Sequence, residues 1–415
     1  MPARPSDAVE QIRHFNAGRE SERLAIKYAA MRRGAFVFLR ASCHLFYARL
    51  PRDPLVAAAP PAWCCGDLHL ENLGSYKGDN RLAYFDINDF DESALAPLSW
   101  DVLRFLTSVL VGAKDMALQQ VEARALCLAF LDAYAATLAG GKAGWIEEET
   151  ARGLVRTLLD DVAKRSRSDF LDGRTEFKGD RRRIRIDGKK ALAASRAERE
   201  HVGAMLEQFA RTQAKPAFFA PLDVARRVAG TGSLGLERYI ILVRGKGGAN
   251  GNHLLDLKLA QASSLLPHVA HAQPAWRSQA QRIVAVQGRM QAVTTAFLHP
   301  LAAGQQSGQH SGQHSYVLRA LLPSEDRVTL DRTRTSMNDF ATVVRTMATV
   351  AASAHLRSAG RDGSAIADAL IDFGSRQQWR SAYLGIALDC AGQVRRDWAR
   401  FSEAYDDGAF GSKRK

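Results

Sequence analysis

The chain has no run of about 18 apolar residues, the length a membrane-crossing helix needs, so no membrane span is expected. Its opening residues, Met1-Pro2-Ala3-Arg4-Pro5-Ser6-Asp7-Ala8, lack the apolar core of a secretory signal. Cysteine is scarce as well. The five present (Cys43, Cys64, Cys65, Cys127, Cys390) are odd in number, scattered, and never at CxxC or another metal-ligand spacing. A disulfide framework and a zinc cluster are both excluded, and the adjacent Cys64-Cys65 reads as buried thiols beside a strand. Together these absences predict a cytoplasmic protein.

Negative charge is also in short supply: 57 Lys and Arg stand against 44 Asp and Glu, a formal net charge of +13. Such a surplus invites a nucleic-acid reading. Its distribution weakens it, because residues 164–190 alone carry eleven Lys and Arg against five Asp and Glu. That stretch has only Phe170 and Phe177 as aromatics, so no stacking platform for bases is evident. A charged hairpin on a solvated face accounts for it; an anionic partner such as a nucleotide is the functional alternative.

At 415 residues, two domains or lobes are expected. Helical periodicity covers 8–50, interrupted at Gly34 and closed by Pro51 and Pro54. Ser99 is a candidate N-cap for the helix that carries Leu103, Leu106 and Leu110. Further helices are predicted over Gln119–Leu138, Ala191–Arg211, Pro274–Phe297, Met337–Arg357 and Ser375–Tyr405. Strands are predicted in VARRVA, RYIILVRG and HLLDLKLA between Asp223 and Ala260, and over Tyr316–Leu322. The Ser-Gly-Gln-His repeat within Ala302–Ser315 reads as a loop, too glycine-rich for His310 and His314 to form a metal site, and the tail GSKRK as frayed.

The chemistry concentrates in Trp63–Asp91, WCCGDLHLENLGSYKGDNRLAYFDINDFD. Two polar clusters, Asp67–Asn72 and Asp86–Asp91, flank a β-hairpin whose turn is Lys77-Gly78-Asp79-Asn80. An Asp and an Asn five apart on a tight loop can divide labour: Asp67 accepts a proton from an attacking hydroxyl while the Asn72 carbonyl binds a divalent cation. Asp86 and its neighbours offer hard oxygen ligands for Mg²⁺ at a strand end, with Asp89 and Asp91 as further candidates. The bland alternative is that Asp, Asn and Gly only make turns. Two clusters at this separation, each bordered by strand residues, favour the functional reading.

Gly66–Asn72 resembles the catalytic loop of the protein-kinase-like superfamily, in particular the aminoglycoside and choline phosphotransferase branch with its GDLHxxN loop. On that resemblance Asp67 is the catalytic base, Asp86 follows the hairpin as the Mg²⁺-binding Asp, and Asp101 in SWDVLRFLTS braces the catalytic loop. His69 either helps that bracing or touches substrate. More closely, FVFLRAS, CGDLHLENLG, FDINDFDES, SWDVLRFLTS, VAGTGSLGLERYIILVRG and QRIVAVQGRMQ together resemble the bacterial family DUF2252, from about Arg32 to the last helix.

Gly230-Thr231-Gly232-Ser233-Leu234-Gly235 fits GxGxxG. A dinucleotide fold would continue into a helix; here strand residues come next, the kinase arrangement in which loop N–H groups cover ATP phosphates. Lys258, on the third strand, is then placed to pair with those phosphates. Because this loop comes after the catalytic loop in the chain, the expectation is an α+β, two-lobed, protein-kinase-like fold that is circularly permuted. Residues 1–215 would begin the helical lobe, 216–322 would form the nucleotide lobe, and 323–415 would complete the helical lobe.

The resulting expectation is an ATP- and Mg²⁺-dependent phosphotransferase acting on a small-molecule acceptor. Asp67 and Lys258 are its catalytic residues, Asn72, Asp86 and Asp89 its metal ligands, and Gly230, Thr231, Gly232, Ser233, Gly235 and Lys258 its nucleotide site. One absence complicates it: no acidic residue lies between Lys258 and Glu325 to pair the lysine, which leaves Glu237 as a candidate or a nucleotide-binding protein without turnover as the alternative. Nucleic-acid binding through 164–190 is the third reading.

Overall fold

A computed structural model describes residues 7–302, 314–322 and 327–411, with mixed α+β content. The His310 repeat, Glu325 and most of the GSKRK tail lie outside those residues. The first helices are Ala8–Phe15, Ser21–Arg32, Ala35–Ala41 and Cys43–Arg49, broken at Gly34 as expected. Pro54 opens a short helix, Pro54–Ala57, whose first turn is capped by Asp53 accepting the Leu55 N–H at 2.8 Å.

The largest hydrophobic core is helical. At its centre runs Ser99–Gly112, every residue of which is buried, packed by Gln120–Ala139, Met337–Arg357 and Gln378–Asp406. Each fully buried Val, Leu or Phe contributes roughly 1.5–3 kcal/mol, so the cluster can carry two buried charges on this helix, Asp101 and Arg104. Ser99 is not the N-cap: it is the first helical residue, and its hydroxyl donates to the Val56 carbonyl at 2.8 Å. The final helical stretch also divides, into Ala367–Ser375 and Gln378–Asp406.

A six-stranded antiparallel sheet runs in the order His299–Ala302, Ser315–Ala320, His253–Ala260, Arg238–Val243, Pro221–Arg227, Ala191–Ala193. Its edge strand comes from the start of a stretch that reads as helix. The helix begins only at Arg196, where Ser195 and Glu198 form a reciprocal capping box. Helix Arg196–Ala210 packs on one face of the sheet with Leu255, Leu257, Ile241 and Leu318. The opposite face changes character along the strands. One end is apolar, with Leu254, Ile240 and Leu242 against Ile184 and Leu171. The other end presents Arg238, Asp256, Lys258 and Arg319, which strand alternation and pairing put on that same face.

Two smaller ladders face this polar end. Pro61–Cys64 pairs with Ala94–Pro97, and Leu73–Lys77 pairs with Ala83–Ile87 as the expected hairpin. Both cysteines of the Cys64-Cys65 pair are free and buried. No helix among the described residues is long and apolar enough to cross a membrane.

Candidate active site

The loop after Pro61–Cys64 turns at Gly66, whose φ of +82° favours glycine and where an added Cβ would meet the Glu92 carbonyl oxygen at 2.1 Å. The turn is bolted from two sides. Tyr47 donates its hydroxyl to the Gly66 carbonyl at 2.6 Å. The Asp101 carboxylate accepts the N–H groups of Cys65 and Gly66, each at 2.9 Å, and is itself 3.4 Å from His355 Nε2. Asp101 thus stands where a residue bracing this loop would stand.

Asp67 projects from the turn with one oxygen occupied. Arg104, one turn along the buried helix from Asp101, donates to Oδ1 through Nε at 2.9 Å and Nη2 at 2.6 Å. The other oxygen, Oδ2, lies 3.8 Å from His69 Nε2. Burial pushes the Asp67 carboxyl up to about 7, against the opposing pull of Arg104. His69 is held well below its ordinary range by burial and then by Arg40, Arg104 and Arg327, so its ring is neutral. Its Nδ1 accepts the Glu71 N–H at 3.1 Å, which leaves the ring proton on Nε2, facing Asp67.

Asn72 lies on a single 3₁₀ turn, Leu70–Asn72. Its amide nitrogen donates to the carbonyls of Asp67 (3.0 Å) and Asp89 (3.2 Å), tying the two polar clusters together. With the nitrogen so used, the amide oxygen remains as the ligating atom.

The acidic cluster after the hairpin divides. Asp86 sits inside strand Ala83–Ile87 and points away from the others. Its oxygens accept the backbone N–H groups of Ile87 (2.8 Å) and Ala292 (3.0 Å), with Arg357 at 3.4 Å. Burial raises its pKa against these partners. It does not line the cavity that Asp67 and Asn72 share, whereas Asp89 and Asp91 do. Burial also works against the charge on Asp89, but Lys258, Arg319 and Arg238 outweigh it and hold that carboxyl below its ordinary value.

Lys258 reaches the same place from the sheet. Its buried ammonium forms an ion pair with Asp91 and lies 3.8 Å from Asp89. The acidic partner absent from the chain after Lys258 therefore comes from before it. Glu237, the other candidate, is engaged elsewhere, accepting the Tyr316 hydroxyl at 2.6 Å. Arg282, on helix Gln279–Met290, fixes the Asp91 backbone by donating to its carbonyl at 2.8 Å and to that of Gln261 at 2.9 Å.

The glycine loop joins strands Pro221–Arg227 and Arg238–Val243, with one 3₁₀ turn at Thr231–Ser233. Its roof is the N-terminal helices. Arg19 and Lys27 both donate to the Gly232 carbonyl at 2.9 Å, Glu20 N–H to Gly235, and Arg23 to the Leu236 carbonyl. Gly235, at φ +88°, leaves only 2.9 Å between a would-be Cβ and Arg19 Cβ. Gly230, Thr231, Gly232 and Ser233 border the cavity with Lys258, Asp67, Asn72 and Asp89.

Cavity volume here is about 100 Å³, opening toward a larger chamber past Asn72, Asp89 and Gly230. Carboxylates and an amide oxygen line one side; Lys258, Arg40 and Arg327 line the other, the two arginines sharing Glu71 at 2.6 and 3.0 Å. Hard oxygens beside cations suit a metal-bound phosphate. Sequence reasoning missed Arg104, Arg282 and the pair Arg19 and Lys27; only Arg104, three residues after Asp101 on one helix, had a local signal.

The basic stretch 164–190 forms helix Arg167–Asp172 and the hairpin Thr175–Lys178 with Arg181–Ile184. Several of its cations bind within the chain: Arg182 pairs with Asp172 at 2.5 Å, and Arg183 donates to the Leu222 carbonyl at 2.7 Å.

A family model described as an uncharacterized protein conserved in bacteria (DUF2252) matches residues 19–404. No curated protein and no solved structure matches the chain.

Proposed function

The chain belongs to the DUF2252 family, and from that premise we propose that it is an ATP- and Mg²⁺-dependent phosphotransferase of kinase-like, two-lobed and circularly permuted architecture, acting on a small-molecule acceptor. One observation carries the reading. Asp67, Asn72, Asp89, Asp91, Lys258 and the glycine loop border one cavity, although the loop and lysine come late in the chain. Residues 1–215 and 323–415 would make up the helical lobe, and 216–322 the nucleotide lobe, extended by the Ala191–Ala193 strand and the helix after it.

The residues present fit such a ligand. Asn72 commits its amide nitrogen to two carbonyls, and its oxygen stands beside the carboxylates of Asp89 and Asp91. That is a hard-oxygen set suited to Mg²⁺. Lys258, Arg40 and Arg327 supply positive charge for phosphate oxygens. When bound, Mg²⁺-ATP supplies the transferable phosphoryl group and neutralises its developing charge.

The chain's own residues do the rest. Arg104 fixes Asp67 through Oδ1, so Oδ2 is the atom that accepts the acceptor's hydroxyl proton. His69, neutral and with its N–H toward Asp67, holds that carboxylate in orientation. Asp91 restrains the Lys258 ammonium, and Asp101 keeps the turn at Gly66 from drifting. Asp86 takes a supporting part, pinning the hairpin to the backbone at Ala292.

ATP consumption by the wild type and by Asp67→Ala, measured across a panel of hydroxyl acceptors, tests the reading. Turnover lost in the variant is the expected result. ATP binding without turnover on any acceptor would make this a nucleotide-binding protein instead, and absence of ATP binding would overturn both.

A further inference from the structure

Beyond Asn72, Asp89 and Gly230 the cleft widens into a chamber of about 680 Å³, within the roughly 300–1,000 Å³ of small-molecule sites. Its floor is the polar end of the sheet. There a single carboxylate, the fully buried Asp256, faces three guanidiniums. Arg238 binds it through two parallel bonds of 2.9 and 2.6 Å, Arg227 Nη1 lies 2.9 Å away, and Arg319 Nε 3.5 Å away. One negative charge against three positive leaves the floor short of two. Arg227 registers the shortage: burial brings its guanidinium down to about 10 despite Asp256, and its Nη1 has no aligned hydrogen bond. From the opposite wall Arg185 contributes a fourth guanidinium, whose bonds go only to the backbone carbonyls of Asp172, Gly173 and Thr175.

The chamber also lacks a free edge with which to read a base. Where the last strand leaves the sheet, the Leu321 N–H donates to the Leu254 carbonyl at 3.0 Å. The Leu322 carbonyl accepts from Arg227 Nη2 at 2.7 Å. Among the described residues of that segment the polar backbone groups facing the chamber are already spent, while guanidiniums remain under-neutralised. A polyanion gains charge-assisted bonds here; a nucleobase gains only apolar contact with Ile240, Leu321 and their neighbours.

We propose that this chamber selects its ligand by polyphosphate charge and not by the base, so that nucleoside triphosphates of any base, and inorganic tripolyphosphate, bind it alike. The proposal rests on the phosphotransferase reading only in taking the chamber as the donor's site.

Competition against a fluorescent trinitrophenyl-ATP on the full-length protein tests it. ATP, GTP, UTP and tripolyphosphate, each with Mg²⁺, are expected to displace the probe within about threefold of one another, and adenosine not at all. Arg185 is exposed, so its replacement leaves the core intact. Arg185→Gln is expected to weaken tripolyphosphate about tenfold, and Arg185→Lys to restore most of that loss. ATP binding about thirtyfold or more tightly than GTP and tripolyphosphate would overturn the proposal, as would unchanged tripolyphosphate affinity in Arg185→Gln. Base-selective binding with turnover would overturn this inference and leave the phosphotransferase reading standing. Base-indifferent binding with no turnover on any acceptor would do the reverse.

Discussion

Lys258, on the central strand of the sheet, has its ion pair with Asp91, on the loop after the hairpin carrying the acidic cluster. The two residues belong to distant parts of the chain, and the contact clamps the glycine-loop side of the cleft to the acidic side. Lys258 is buried, and among the described residues Asp89 is its only other carboxylate within ion-pair distance. Asp91→Asn should therefore leave a poorly compensated ammonium and cost about 2–3 kcal/mol of stability. Lys258→Met combined with Asp91→Asn should recover part of that loss, because no charge is then stranded. Denaturant midpoints of the two single variants and the double variant measure the coupling; strictly additive losses would deny the pair.

The buried Asp67–Arg104 pair sets a pH dependence. The Asp67 carboxyl is pushed up to about 7 by burial, with Arg104 opposing. The ionised form is the one able to accept a proton, so turnover should rise with pH through about 7 and level above it. Arg104→Met removes the opposing charge and should move that limb to higher pH. A pH–rate profile of ATP consumption reads both, and a limb unmoved by the Arg104 change would show that a different group titrates.

Much of this site is legible in the sequence, for reasons that are local. Gly66–Asn72 is a tight turn whose residue types have few other uses, and the hairpin after it is marked by Lys77-Gly78-Asp79-Asn80 between strand residues. The glycine loop differs from a dinucleotide loop in leading into a strand and not a helix, and that strand is Arg238–Val243. Which partners meet across the fold is not legible. The pairing of Lys258 with Asp91 depends on how the sheet docks on the hairpin, and no spacing encodes that. Similarly, Ala191–Ala193 continues the helical composition of its neighbours. It becomes a strand because Pro221–Arg227 offers it an edge and the Ser195 cap starts the helix later.

Asp256 offers a test in stability alone. Burial opposes its charge, yet Arg227, Arg238 and Arg319 prevail and hold it well below the usual carboxylate range. Its folded pKa lies below the unfolded value of about 3.9. The stabilisation is therefore present above that pH and is lost as pH falls through the folded value. Asp256→Asn leaves three guanidiniums without a counter-charge and should cost about 3–5 kcal/mol at pH 7. Thermal unfolding of wild type and variant between pH 2 and pH 7, at about half-unit steps, should show the gap narrowing toward acid.

The conformation at Gly66 gives a sharper structural prediction. With φ at +82° and the Glu92 carbonyl oxygen 2.1 Å from a would-be Cβ, Gly66→Ala cannot be accommodated by a side-chain movement. The backbone has to shift, and Asp67 shifts with it. A loss of turnover of about a hundredfold or more is expected, exceeding that of an alanine at Gly179, where φ is also positive but nothing lies within 4 Å. Equal losses at the two positions would mean that general destabilisation, and not displacement of Asp67, is responsible.

Asp86 and Asp89 lie on opposite sides of one short turn, and their surroundings predict opposite phenotypes. Asp86 spends its oxygens on the N–H groups of Ile87 and Ala292, holding the hairpin to the end of helix Gln279–Met290. Asp89 lines the cavity with Asn72 and Lys258, and its carboxyl is kept ionised by the cations around it. Asp89→Asn should therefore raise the Mg²⁺ concentration needed for half-maximal ATP consumption by about tenfold or more while changing the unfolding midpoint little. Asp86→Asn should lower stability by about 1–3 kcal/mol and leave the Mg²⁺ requirement of the folded fraction unchanged. Titrating Mg²⁺ against ATP consumption, with unfolding monitored on the same samples, separates the two effects. If Asp86→Asn shifted the metal requirement while Asp89→Asn did not, the metal would have to be assigned to the strand residue instead of the loop residue.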